Sequence, residues 1–296
     1  SAAARSLKTR QTQRIGLVPI ISPEDYRSTD PGDNAFLELL AGLNSIAAEN
    51  GYAILITAAP NYAQELKTYE RLIGEGQVDG VVLMGIRPQD ERLQFLAQKN
   101  FPFVAYGKSD VSMEYPYVDV DGAAGMEMAI RHLTGLGHER IAYITPPNGL
   151  MCTSQRWEGY EKGMAENHLA INKDYVVEGD FNQRAGQMSA HLLLDLPQPP
   201  TAIITANDIC AFGAMRALQA RGLQVGRDVS VVGFDDISLA DHWQPSLTTI
   251  AQPFRKIGFA LMQALFAVIS GAKETPMTMV EPKLIVRQST GPVYHP

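Results

Sequence analysis

The sequence predicts an α/β protein built from two similar lobes, each a parallel β-sheet with helices on both faces. Three observations support this fold class: short and almost continuously apolar runs, amphipathic segments of helical period between them, and a second round of the alternation that begins at about residue 122. Continuous apolarity marks strands buried on both faces, and their alternation with helices is typical of βαβ units. A chain of 296 residues is also too long for one compact core.

The strands are predicted from apolar runs rich in Val, Ile and Leu. The segment YPYVDVDG (115–122) lacks the composition of a loop, so it is predicted to be an extended strand leading from the first lobe to the second. The other candidate strands are IGLVPI (15–20), YAILIT (52–57), GVVLM (80–84), FVAY (103–106), RIAYIT (140–145), TAIITA (201–206) and VSVVGF (229–234).

Helices are predicted where apolar residues recur at three- and four-residue spacing. In segment 34–51 the apolar residues share one face, and Gly51 stands where a C-terminal cap belongs. Segments 125–140 and 207–222 repeat the pattern. The elements therefore form two Rossmann-like lobes with a ligand cleft expected between them, beyond the carboxyl ends of the strands.

Composition and charge narrow the class of protein. A net charge of −7 and a pI of about 5.4 argue against nucleic-acid binding by these residues alone, because phosphate contacts need clustered Lys and Arg. Two cysteines without CxxC spacing are expected to be free thiols in a reducing cytoplasm. The apolar stretch 15–21 is interrupted by Pro19, which favours a first strand over a signal peptide. We predict a cytoplasmic protein without a membrane partner.

The sequence carries no motif that requires catalysis. It has no GxGxxG, P-loop, GxSxG or HExxH motif, and its six histidines never pair at metal-ligand spacing. Asp235 and Asp236 follow a buried strand and could form a pair of acid and base, but adjacent residues at a strand end point in opposite directions. We therefore predict no enzyme, catalytic residue, metal or cofactor; a hydrolase or isomerase using this pair is the rival interpretation.

Several stretches, in matching order and spacing, resemble the lactose-repressor/galactose-repressor family of bacterial transcriptional regulators. The likeness spans essentially the whole chain. The stretches are SAAARSLKT (1–9), RIGLVP (14–19), VDGVVLM (78–84), HLTGLGHERIAYI (132–144), SQRWEGY (154–160), PPTAIITANDICAFGAMRAL (199–218), DVSVVGFDDISLA (228–240), PSLTTIAQPFRKIG (245–258) and VRQSTGP (286–292).

The resemblance implies a periplasmic-binding-protein-like fold and the effector-binding and dimerisation core of a repressor. Residues 1–12 would be a hinge-helix remnant and linker, in which Leu7 matches the leucine that wedges into the DNA minor groove. A helix-turn-helix would precede residue 1 and contact operator DNA, and the protein would be a homodimer. The implied N-terminal lobe contains residues 13–118 and 252–282, and the C-terminal lobe contains residues 119–251 and 283–296.

The same resemblance implies ligand-binding residues in the second lobe. Arg156 matches an arginine that contacts ligand hydroxyls or carboxylates, with a helix-surface salt bridge as the competing role. Either Asn207 or Asp208 could cap the helix that follows; Asn207 is expected to face the ligand, with Asp208 as helix cap or support. Asp235 matches an acceptor for sugar hydroxyls, and Asp236 is expected to cap the short helix that follows.

Aromatic walls and first-lobe contacts complete the implied site. Phe181 matches an aromatic wall, with core packing as its competitor, and Gln252 and Phe254 match a polar contact and a second wall. In the first lobe, Phe36 ends a loop that contacts ligand, and Lys108 stands where the family has an arginine. The implied effector is a small molecule, a mono- or disaccharide. A periplasmic sugar receptor of a transport system is the alternative function.

Overall fold

The computed structural model describes residues 11–21 and 34–293, which form two compact α/β units. The first unit comprises Phe36–Asp119 and Phe254–Val280 with the described residues of Ser1–Thr29. The second comprises Val120–Pro253 with the described residues of Asp30–Ala35 and Glu281–Pro296. No helix in the described ranges is long and apolar enough to cross a membrane.

Strands and helices alternate along most of the chain. In chain order the elements are β1 (Arg14–Leu17), α1 (Asn34–Glu49), β2 (Ala53–Ile56), α2 (Tyr62–Gly74), β3 (Gly80–Leu83), α3 (Glu91–Gln98), β4 (Phe103–Tyr106), β5 (Tyr117–Val120), α4 (Gly122–Gly135), β6 (Ile141–Thr145), α5 (Met151–Glu166), β7 (Val176–Glu178), α6 (Gln183–Leu194), β8 (Ala202–Ile204), α7 (Asp208–Ala220), β9 (Ser230–Asp235), α8 (Ser238–His242), β10 (Thr248–Ala251), α9 (Phe254–Ile269), β11 (Met277–Val280) and β12 (Lys283–Ile285).

Each unit contains one sheet, and the two sheets have the same topology. The strand orders are β11-β5-β4-β3-β1-β2 in the first unit and β12-β10-β9-β8-β6-β7 in the second. Strands β1–β5 and β6–β10 therefore both follow the order 2-1-3-4-5 of a doubly wound sheet, and they pair in parallel. The predicted two-lobed α/β fold class, with its repeated alternation, is confirmed.

Four strands in the described ranges, β7, β10, β11 and β12, are absent from the sequence prediction. Strand β10 has a polar start, yet Thr248 and Thr249 are both 0% exposed. Their hydroxyls are satisfied by distant partners: Thr249 Oγ1 donates to Asp208 and Thr248 Oγ1 accepts from the backbone N–H of Arg287. Threonine is favoured in strands, but a four-residue run that begins with two polar residues does not stand out among runs rich in Val, Ile and Leu.

Helix boundaries follow local capping. Helix α4 begins at Gly122, before the predicted segment 125–140, because the Asp121 side chain accepts a hydrogen bond from the Ala124 N–H at 2.9 Å. It ends at Gly135, and Gly137 turns the chain with φ +88°. The predicted helix was therefore too long at its C-terminus. Gly51, with φ +75°, follows α1 as predicted.

The first unit buries a cluster of charges that the sequence analysis missed. Glu65, Asp90 and Arg92 are 1%, 2% and 0% exposed. The Arg92 guanidinium donates to both carboxylates and to two backbone carbonyls at 2.9 Å. At the edge of this cluster, Arg87 Nη2 donates a hydrogen bond to Glu65 Oε2 at 3.1 Å. We call these four side chains the Arg92 cluster.

Candidate functional site

The candidate site of the second unit lies at the carboxyl ends of strands β8 and β9. Parallel strands carry their following loops to the same sheet edge, which is where ligands bind in doubly wound folds. Asn207 follows β8, Asp235 ends β9, and Gln252 follows β10. Three of the predicted residues are therefore brought to one edge by topology.

Asp235 sits in a strained turn and is held by Gln252. The φ angles of Asp235 and Asp236 are +123° and +58°, in the left-handed region that non-glycine residues rarely occupy. Gln252 Nε2 donates to Asp235 Oδ1 at 2.6 Å, and the Gln252 N–H donates to the Asp235 carbonyl at 3.2 Å. Strain of this kind persists only where surrounding contacts over-determine the backbone, which is the case here.

The predicted capping role of Asp236 is wrong. Helix α8 has Ile237 at its N-cap position and no side-chain cap. Asp236 Oδ1 instead lies 2.7 Å from Arg287 Nη2, and the exposed Asp241 lies 3.3 Å from Arg287 Nε. Asp235 and Asp236 thus face different partners, as predicted for adjacent residues at a strand end.

Asp208 supports the turn from inside the protein. It is 0% exposed, and its carboxyl accepts from the Ile237 N–H at 2.9 Å and from Thr249 Oγ1 at 2.5 Å. Burial, with the neighbouring Asp235 charge as the next cause, raises the pKa of Asp208 well above its ordinary value. A Cβ on Gly233 would lie 2.2 Å from Asp208 Oδ1, so only glycine leaves room for this carboxyl.

Asn207, rather than Asp208, is the cap of helix α7. Its Oδ1 accepts from the Cys210 N–H at 2.8 Å, and its Nδ2 donates to the Phe181 carbonyl at 3.0 Å. The expectation that Asp208 could cap is therefore wrong, whereas its supporting role is confirmed. Phe181 itself is 37% exposed, so core packing does not explain this aromatic residue.

Arg156 is a buried arginine on helix α5 with an incomplete set of partners. It is 7% exposed, its Nη1 donates to the Ala206 carbonyl at 2.6 Å, and its guanidinium carbon lies 3.6 Å from the centroid of the Phe234 ring. Its Nε is buried without a hydrogen-bond partner among the described residues. The competing prediction, that Arg156 forms a helix-surface salt bridge, is therefore wrong. The buried Nε–H of Arg156 can still donate to a further acceptor.

A tyrosine hydroxyl nearby is also unsatisfied. Tyr143 is 0% exposed and its hydroxyl has no hydrogen-bond partner in the described ranges. Burial raises the pKa of Tyr143, and the charge of Arg156 partly opposes that rise. The ring stacks on Tyr160 at a centroid distance of 5.3 Å, and the Tyr160 hydroxyl, unlike that of Tyr143, donates to the Ile141 carbonyl at 2.9 Å.

These stacked tyrosines provide a matched pair of substitutions. Tyr143→Phe removes an unsatisfied hydroxyl and is expected to leave the free energy of unfolding unchanged within about 0.5 kcal/mol, or to raise it. Tyr160→Phe removes a made hydrogen bond and is expected to cost about 1 kcal/mol. Urea unfolding of both variants measures the difference. A larger loss from Tyr143→Phe than from Tyr160→Phe would contradict this assignment.

The remaining predicted residues lie in the first unit or outside the described residues. Phe36 is a half-buried residue in the first turn of α1, and the half-buried Phe254 begins α9. Lys108 is exposed after β4, and its backbone N–H donates to Asp119 Oδ2 at 2.9 Å. That carboxylate, eleven positions along the chain, was not recognised from the sequence. Leu7 and the hinge segment around it lie outside the described residues.

The candidate site of the second unit has the chemistry to bind polar groups. It combines the Asp235 carboxylate, a buried guanidinium, an amide and an exposed ring within one sheet edge. Within the described ranges, no group of three or more His, Cys, Asp or Glu side chains could hold a metal ion. Paired donors and acceptors suit hydroxyl groups, which donate and accept at once.

The chain is similar to a known protein family and to a transcriptional repressor. The family model of the periplasmic binding protein-like domain matches residues 130–290, more than half of the chain. The transcriptional repressor CytR of Escherichia coli (strain K12) is 34% identical over 261 residues, 87% of this chain and 76% of the repressor.

Solved structures agree with these relatives. A regulatory protein of the LacI family from Chloroflexus aggregans is 33% identical, with a TM-score of 0.82 over 95% of this chain and 99% of that protein. A complex of the transcriptional regulator CelR with cellobiose is 26% identical, with a TM-score of 0.85 over 97% of this chain and 89% of that protein.

Proposed function

The chain belongs to the LacI family of transcriptional regulators and forms their effector-binding domain, and from this premise we propose that its effector is a mono- or disaccharide bound at the second-unit site. The observation that carries the proposal is that the same sheet edge holds the Asp235 carboxylate, bound by Gln252, and the buried Arg156, whose Nε has no partner among the described residues. The cellobiose complex of CelR supports the class of ligand.

Each side chain has a defined part in sugar binding. Asp235 accepts hydrogen bonds from hydroxyls, and Arg156 donates to the oxygens of a vicinal diol, whose spacing matches its fork. Asn207 and Gln252 add amide contacts, and the exposed Phe181 ring stacks on the apolar face of the sugar. Phe36, Lys108 and Phe254 of the first unit stay candidate ligand contacts.

Regulation follows if the sugar prefers one arrangement of the two units. We propose that the protein acts in the cytoplasm as a homodimer and binds operator DNA through an N-terminal helix-turn-helix domain, with Leu7 in the hinge. A sugar with different affinities for two arrangements shifts their populations and thereby changes operator affinity. A periplasmic sugar receptor is the less favoured function, because the relatives are repressors and regulators.

A thermal-shift screen of mono- and disaccharides, cellobiose included, tests the proposal. A bound sugar is expected to raise the melting temperature, because it binds only the folded chain. Asp235→Asn is expected to weaken binding about tenfold or more by removing a charged acceptor. Asp174→Asn, an exposed aspartate in the same unit, is the matched control and is expected to bind as the wild type does.

Two outcomes would contradict the proposal. If no sugar stabilises the chain while a purine or an amino acid does, the ligand class is wrong. If a bound sugar is chemically converted, and Asp235→Asn abolishes that conversion while binding persists, the Asp235–Asp236 pair is catalytic and the protein is an enzyme.

A further inference from the structure

The turn that carries Asp235 is held by side chains from three other parts of the second unit. Gln252 contacts the Asp235 carboxylate, Asp208 accepts from the Ile237 N–H, and Arg287 lies 2.7 Å from the Asp236 carboxylate. Two consecutive residues in the left-handed region make the turn costly to form, so its conformation depends on these contacts.

Of these three side chains, Arg287 contacts the largest number of neighbouring residues around the turn. Its guanidinium faces Asp236 and Asp241 and also donates from Nη1 to the Leu247 carbonyl at 2.9 Å. Its own N–H donates to Thr248 Oγ1 at 2.9 Å, which fixes the backbone from which the side chain extends. The side chain is only 16% exposed, so water screens the Asp236 contact less than in an open surface pair.

The contact to Asp236 is electrostatic in character. The nitrogen and oxygen are close, but they are not aligned as a hydrogen bond. Arg287 therefore compensates the charge beside the turn and leaves the Asp235 carboxylate to Gln252. Without the arginine, Asp236 would stand uncompensated beside Asp235, and repulsion between the two carboxylates would favour another turn conformation.

We propose that Arg287 is a positioning residue for effector binding: it holds Asp236, and through it the strained turn, in the conformation that presents Asp235 to the ligand. The proposal rests on the proposed function, in which Asp235 is the hydroxyl acceptor. It gives the C-terminal stretch VRQSTGP (286–292) a part in ligand affinity that requires no contact between Arg287 and the ligand.

The test compares Arg287→Met with Arg221→Met in the full chain. Arg221 forms an Arg–Asp pair of the same 2.7 Å length with Asp195 in the same unit, away from the turn. Calorimetric titration with D-glucose, D-galactose, D-ribose and cellobiose is expected to give about tenfold weaker binding for Arg287→Met and unchanged binding for the control, with Arg287→Lys between them. Unchanged binding in Arg287→Met would overturn the proposal.

A double-mutant cycle separates positioning from general destabilisation. If Arg287 acts through Asp235, Arg287→Met is expected to weaken sugar binding no further in an Asp235→Asn background. A purely structural effect would be additive in this cycle, and additivity would overturn the proposal. If Asp235→Asn alone leaves binding unchanged, it is the proposed function that fails.

Amide hydrogen exchange gives a readout that needs no ligand. In Arg287→Met the amides of residues 235–237 are expected to exchange faster than in Arg221→Met, because the turn has lost one of its contacts. Equal exchange in both variants would overturn the positioning role. If none of the four sugars binds the wild type, the exchange comparison alone decides the role of Arg287 in holding the turn.

Discussion

Replacing Arg92 by methionine is expected to lower the free energy of unfolding by about 3–5 kcal/mol, because two buried carboxylates lose the guanidinium that contacts both of them. Burial raises the pKa of Glu65, and the charges of Arg92 and Arg87 only partly oppose that rise. For Asp90, burial acts in the same direction, but the hydrogen bond and charge of Arg92 outweigh it and lower its pKa. Arg92 is the fully buried guanidinium that both carboxylates share, and Arg87 is their second, partly exposed partner.

Urea unfolding measures this loss, and the chain offers a matched control. Arg71 pairs with Glu75 at 3.6 Å, with the two side chains 49% and 52% exposed. Arg71→Met is expected to change the free energy of unfolding by less than about 0.5 kcal/mol, as for other exposed pairs. If Arg92→Met costs no more than Arg71→Met, the Arg92 cluster is hydrated rather than buried.

Asp208 carries the second large effect, which depends on pH. Asp208→Ala is expected to cost about 2–4 kcal/mol, since it leaves the buried Ile237 N–H without an acceptor. Asp208→Asn retains an oxygen for that N–H and an amide for Thr249, so we expect it to cost less than about 1 kcal/mol. Comparing Asp208→Ala with Asp208→Asn separates the effect of losing the hydrogen bonds from the effect of losing the ionisable carboxyl group.

The pH dependence follows from the direction of the pKa shift. Because the pKa of Asp208 is higher in the folded chain than in the unfolded chain, the folded state holds the proton more tightly. The resulting stability is fully present below about pH 4, the pKa of an unfolded aspartate, and is lost as the pH rises towards the raised value.

Asp208→Asn has no such loss, so its stability relative to the wild type is expected to increase between pH 4 and pH 7. Thermal or urea unfolding of both proteins across this range measures the difference. A constant difference would mean that Asp208 is ionised in the folded chain at neutral pH.

The two α/β units, and the strand ends at which the candidate site residues lie, were readable from the sequence. Strand cores such as 80–83 and 103–106 are apolar throughout, and their helices carry one apolar face, so each element is encoded by its own residues. Asp235 directly follows such a run, and the topology of a parallel sheet sends the chain from there to a binding edge. Strand β10 escaped the prediction because it is only four residues long and begins with two threonines, whose burial depends on distant partners.

The sequence by itself therefore determined the fold class and the family resemblance, because periodicity and motif order are local properties of a chain. Only the tertiary structure decided which side chains meet. Asn207 rather than Asp208 caps α7. Asp236 forms an ion pair with Arg287 and does not cap a helix. Arg92 lies between carboxylates from α2 and the start of α3. Arg287 meets Asp236, and Arg92 meets Glu65, from segments far apart in sequence, and a buried charge is satisfied only by what packing brings beside it.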